Sequence, residues 1–112
     1  MKNELDNLKF PIGKYKAILD FNFSRTIEDI KTLESFASDL RESVKGLDKT
    51  DFKKTYRNGG MNIAQIIHHF CDTHTYAFLR TKHTLLEENP SVKMYEVAEF
   101  LTTPDSNVLD VK

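Results

Sequence analysis

Three of the four histidines fall within seven residues, His68-His69-Phe70-Cys71-Asp72-Thr73-His74. Imidazole is the common side chain for holding a transition metal or moving a proton near neutral pH, and a neighbouring carboxylate can fix its tautomer. The residue types therefore point to a divalent-metal or acid–base site. Their spacing narrows it. Two histidines of one helix share a metal when they are three or four residues apart, whereas His68 and His69 are adjacent and His69 and His74 are five apart. At about 100° per residue, His74 falls on an apolar face with Ile63, Phe70, Ala77 and Thr81, and His69 on its margin near Ile66 and Thr73. His68 points nearly the opposite way, toward Leu79. The cluster thus supplies one direct ligand at most. Asp72, one turn from both His68 and His69, is the candidate to orient either ring, and His74 is placed to pack or line a pocket. His83 stands among polar neighbours and reads as a surface residue. Cys71 flanks the apolar face and reads as a small buried hydrophobe, with no adjacent base to lower its pKa.

The element that carries the cluster has a clear beginning. Asn62 followed three residues later by Gln65 is a variant of the capping box, and Asn89-Pro90 stops the pattern, which predicts a helix over about 62–88. An earlier helix is predicted over about 26–45, with Thr26 and Asp29 as its cap pair, a stripe of Ile27, Ile30, Leu33, Phe36, Ala37, Leu40 and Val44, and Gly46 as its stop. Residues 1–23 lack a sustained period and, broken by Phe10-Pro11-Ile12-Gly13, read as an extended arm. Thr50–Tyr56 suits a short helical turn, Asn58-Gly59-Gly60 a tight turn, Tyr95–Leu101 another short helix, and Pro104–Asn107 a loop. Two long helices and no strand pattern predict an all-α fold. The second helix is apolar over a wide arc, from Ile63, Ile66, Ile67, Phe70, Ala77, Phe78 and Leu85 round to Leu79 and Leu86. A single hairpin partner cannot cover that arc.

Composition excludes several classes. The 112 residues fit one domain, with 16 basic and 17 acidic side chains, a net charge of -1 and no basic tract of the kind that neutralises phosphates. Lys53, Lys54 and Arg57 read as a solvated turn, and no nucleic-acid partner is expected. The single cysteine allows no intrachain disulfide and suits a reducing compartment. The N-terminus lacks a signal-peptide pattern, and no apolar run approaches the ~20 residues of a membrane span, so a cytoplasmic protein without membrane contact is expected. No Ser-His-Asp arrangement, phosphate-binding loop or paired-carboxylate motif is present.

Taken in order, Phe10-Pro11-Ile12-Gly13-Lys14-Tyr15, Tyr56-Arg57-Asn58-Gly59-Gly60, Gln65-Ile66-Ile67-His68-His69 with Asp72, His74, Tyr76 and Arg80, and Glu87-Glu88-Asn89-Pro90 with Lys93 and Tyr95 resemble the YfiT branch of the DinB-like superfamily. The resemblance extends from Leu8 through nearly the whole chain. It implies an antiparallel four-helix bundle about one and a half times this length. It further implies a divalent metal, zinc or nickel, held by one histidine of the second bundle helix and two from a His-x-x-x-His of the last, with a position left for water. The implied activity is metal-dependent hydrolysis or transfer of low-molecular-weight thiols such as bacillithiol. The matching ligand position is His69. Met61 departs from the aromatic residue usual in the family, and no His-x-x-x-His occurs in the chain. The resemblance therefore predicts the N-terminal part of such a bundle, without the C-terminal helix pair and inactive by itself for want of two ligands. A second expectation, from the wide apolar arc, is a non-enzymatic helical hairpin that homodimerises into a four-helix bundle.

Overall fold

In the computed structural model, residues 4–18 and 22–108 are described, and they fall into two compact units, Met1–Leu47 and Asp48–Lys112. In the first, helix α1 spans Glu4–Lys9 and helix α2 spans Phe23–Val44. The arm expected to be extended thus carries a turn and a half of helix, with Glu4 and Asp6 in its first turn and Lys9 in its last, charges matched to the helix dipole. It ends just before Pro11. Residues 13–18 have no regular structure.

Helix α2 begins one turn earlier than its apolar stripe suggests. Asn22 is the cap: its side-chain oxygen accepts the Arg25 N–H at 2.8 Å. Asparagine outranks threonine as an N-cap. Thr26, expected to cap, lies inside the first turn and donates its hydroxyl back to the Asn22 carbonyl at 3.2 Å. Gly46 ends the helix with φ +82, a left-handed turn that a Cβ would strain.

The second unit is built on α3, Ile63–Leu86, with the short helix α4 at Val97–Phe100. Two 3-10 turns, Asp51–Lys53 and Pro104–Asn107, both pack against α3. At ~1.5 Å per residue α3 is about 36 Å long. Its start is locked three ways. The Asn62 side chain accepts the Gln65 N–H at 2.8 Å while the Gln65 side chain accepts the Asn62 N–H at 3.0 Å, completing the capping box. Ile63 donates its N–H to the Lys54 carbonyl at 3.1 Å, and Thr55 and Asn62 form a single antiparallel bridge. Phe52 and Ala64, 3% and 2% exposed, are the buried apolar residues here. No strand occurs among the described residues.

The apolar arc of α3 is covered unevenly. Ile63, Ile66, Ile67 and Phe70, near the two 3-10 turns, are half-buried, whereas Ala77, Phe78, Leu79, Leu85 and Leu86 are exposed. Among the described residues no helix is long and apolar enough to cross a membrane.

Candidate functional site

His69 lies in the second turn of α3, where the capping box and the packing of the Asp51–Lys53 turn on the helix leave the backbone little freedom. Three later residues continue its face at spacings of four, three and four: Thr73, Tyr76 and Arg80. After α3 the chain returns along this stripe. Tyr95 brings its hydroxyl 3.2 Å from Nδ1 of His69 and 2.8 Å from the Thr73 hydroxyl. Its ring stacks on Tyr76 with centroids 4.5 Å apart, and Phe100 sets its edge against both tyrosines at 5.8 and 4.9 Å. Further along, Arg80 donates through Nη2 to the Lys93 carbonyl at 3.3 Å. Aromatic pairs of this kind contribute about 0.5–1.5 kcal/mol each beyond buried area, enough to hold a short return segment on one helix.

The three clustered histidines are separated, as their spacing requires. His69 faces Tyr95. His68, expected opposite the apolar face and toward Leu79, is half-buried, with Nδ1 3.8 Å from the Asp105 carboxylate. The turn at Pro104–Asn107 covers that side of the helix, a long-range packing that helical arithmetic does not contain. Ser106 anchors this turn: it is 2% exposed and donates toward the carbonyls of Leu101 and Thr103 at 2.7 and 2.8 Å. Asp105 is held below the ordinary carboxylate pKa, first by the Thr103 side chain, then by backbone N–H groups of the turn and by charge on His68. His74 is exposed rather than seated in a covered apolar face.

Asp72 is half-buried and makes no hydrogen bond to His68 or His69. The groups that face those rings are the Tyr95 hydroxyl, hydrogen-bonded to His69, and the Asp105 carboxylate, 3.8 Å from His68, from segments 26 and 37 positions further along the chain. Cys71 is an exposed free thiol, not a buried packing residue, because the neighbouring segments cover α3 on another side. His83 is on the surface but not alone: Nδ1 bonds the Glu87 carboxylate.

The chemical capacity of His69 follows from its Nδ1 partner. When Nδ1 carries the proton, the Tyr95 oxygen accepts it, the Tyr95 hydroxyl donates to Thr73, and Nε2 keeps a free lone pair. That is the tautomer a metal ligand needs. The described residues do not supply a complete donor set: among them no group of three His, Cys, Asp or Glu side chains lies close enough to hold a metal ion. One oriented nitrogen is present.

No known family profile matches the chain. It is 35% identical over 108 residues to a Geobacillus kaustophilus protein named "putative metal-dependent hydrolase", across 96% of this chain and 61% of that protein. A Bacillus cereus protein of the same name is 30% identical over 110 residues, covering 93% of this chain and 60% of the relative. Among solved structures, YfiT from Bacillus subtilis, described as "a probable metal-dependent hydrolase with an unusual four-helix bundle topology", superimposes with a TM-score of 0.88 at 30% identity. That match covers 93% of this chain and 59% of YfiT. The chain spans about three fifths of the length of the relatives it matches. It is a relative of the YfiT-type proteins and shares their all-α fold over that stretch.

Proposed function

We propose that this YfiT-type relative contributes His69, through Nε2, to a divalent-metal site for hydrolytic or thiol-transfer chemistry, zinc and nickel being the candidate ions. The observation that carries the reading is the Tyr95 hydroxyl 3.2 Å from Nδ1 of His69. A partner on one imidazole nitrogen is the usual support of a metal-ligating histidine, since it fixes the tautomer and aims the other nitrogen. Among the described residues no group of three donors completes the set, so the chain's own contribution is limited to one oriented nitrogen. A bound divalent cation would supply Lewis acidity toward a water or a thiol. The chain's own part is to orient His69 and, through the Tyr95–Thr73 hydroxyl pair, to keep its proton on Nδ1.

The test is a zinc or nickel titration followed by imidazole 15N NMR. Nε2 of His69 should be the first nitrogen to move, and His69→Ala should remove that binding. Equal metal uptake by His69→Ala would sink the proposal.

A second reading is a non-enzymatic helical chain that pairs with another copy of itself, supported by the exposed α2 residues Ile27, Ile30 and Leu33 on one stripe. Sedimentation at micromolar concentration decides it: a monomer throughout ends the dimer reading.

A further inference from the structure

Beyond the His69 site, the last turns of α3 and the segment after them form a half-open cavity of about 290 Å³, lined by Tyr76, Leu79, Arg80, His83, Ser91, Val92 and Lys93. We propose that this cavity binds a small organic anion, a carboxylate or phosphate head carried on an apolar body.

The first argument is charge. Arg80 and Lys93 line the cavity, no acidic side chain does, and among the described residues neither cation has a carboxylate within ion-pair distance. Arg80 is half-buried. A guanidinium drawn partly out of water without a counter-charge is unfavourable, and a ligand anion would compensate it. The hydrogen bonding of Arg80 is also incomplete. Its Nη2 reaches only the Lys93 carbonyl at 3.3 Å and the Met94 sulfur at 3.4 Å, and its buried Nε has no partner. Nη1 has no partner among the described residues either, which leaves N–H donors to spare on a group suited to forked recognition of carboxylate and phosphate.

The second argument is shape. Leu79 and Val92 give an apolar wall, and the Tyr76 ring, with the Arg80 guanidinium 5.9 Å from its centroid, forms a flat one. At roughly 30 Å³ for a water-sized group, the space suits a ligand of on the order of ten non-hydrogen atoms. His83 has Nδ1 bonded to Glu87, so Nε2 is its nitrogen available to a ligand. Ser91 adds a hydroxyl. Few convergent polar groups on apolar walls are what a small-molecule pocket consists of. The inference needs no metal and stands apart from the His69 reading.

Benzoate, phenyl phosphate and the neutral isostere benzamide test it, each titrated into the metal-free protein and followed by amide NMR. Benzoate or phenyl phosphate should saturate, shifting residues 76–94, and the tighter of the two names the head group. Arg80→Gln should weaken binding roughly tenfold or more, the loss expected of a charged hydrogen bond. Lys93→Gln, on an exposed residue whose loss does not threaten folding, should weaken it roughly two- to fivefold. Benzamide binding as tightly as benzoate, shifts outside residues 76–94, or affinity unaltered in both Lys93→Gln and Arg80→Gln would overturn the proposal.

Discussion

The Tyr95 hydroxyl sits between two residues of one helix face, 3.2 Å from Nδ1 of His69 and 2.8 Å from the hydroxyl of Thr73, one turn on. Only one direction of this hydrogen-bond chain leaves Nε2 of His69 unprotonated, and Tyr95 is the residue both directions pass through. Replacing Tyr95 by Phe keeps the ring stack on Tyr76 and deletes only the hydroxyl. We expect Tyr95→Phe to retain the fold by circular dichroism, to shift His69 toward a mixture of tautomers in 15N spectra, and to weaken metal binding at His69 about 10- to 100-fold. An unchanged tautomer would show that the hydroxyl does not orient the ring.

The α3 start carries a second prediction. Asn62 and Gln65 satisfy each other's backbone N–H groups, so Asn62→Ala removes the cap and leaves the Gln65 amide with half its pair. The expected cost is about 1 kcal/mol in a urea denaturation midpoint at unchanged slope. Replacing Asn62 by Ser or Asp should recover most of it. A null effect of Asn62→Ala would mean that the packing of the Asp51–Lys53 turn on α3 alone fixes the helix start.

Ser106 is buried, and its hydroxyl is shared between the carbonyls of Leu101 and Thr103, just before its turn. Ser106→Ala should cost roughly 1–3 kcal/mol by removing the hydroxyl from the Leu101 carbonyl, while the Thr103 carbonyl keeps the residue 106 N–H. Because Asp105 is its neighbour, the same variant should loosen the turn from His68. Faster amide exchange at 104–108, with a shift of the His68 ring signals and little change at His69, is the expected pattern. Equal change at both histidines would indicate that the two supports are one cooperative unit.

The 3-10 turn before α3 predicts a pH dependence of known sign. Asp51 is held below its ordinary pKa by Lys54, 2.6 Å away, and by the Asp48 backbone N–H, while Lys54 is raised by Asp51. A lowered carboxylate stabilises the folded state above its unfolded pKa of about 3.9, and that contribution disappears as pH falls through the lower folded value. A raised lysine stabilises below about 10.4, and its contribution disappears as pH rises through the folded value. The pair should therefore act evenly across neutral pH and fade at both extremes. Carboxyl 13C titration should place the Asp51 midpoint below the ordinary range, and Asp51→Asn should return the Lys54 midpoint toward its ordinary value. An Asp51 midpoint at or above the ordinary range contradicts the pairing.

What was legible in the residues was local. Asn62 and Gln65 announce the α3 start because a capping box is complete within four residues, and Gly46 marks the α2 end for the same reason. The separation of His68, His69 and His74 follows from helical rotation alone. Asn22 lies outside the apolar period of α2, so only its residue type argues for a cap there. The partners of the histidines were not legible. Tyr95 and Asp105 meet α3 through chain reversal, and nothing near Asp72 signals that a phenol from beyond Pro90 takes the place expected for its carboxylate. The spacing of His69, Thr73, Tyr76 and Arg80 was the available clue: four polar or aromatic residues on one stripe ask for a partner segment.

The Tyr76–Tyr95 stack has a practical consequence. The chain contains no tryptophan and four tyrosines, so its ultraviolet emission is tyrosine emission. Two of those four rings lie face to face 4.5 Å apart, one hydrogen-bonded to His69 and the other forming a wall of the anion cavity. An event at either place therefore perturbs the same coupled chromophore. The protein carries its own optical gauge, readable without a label, and Tyr95→Phe separates its two inputs.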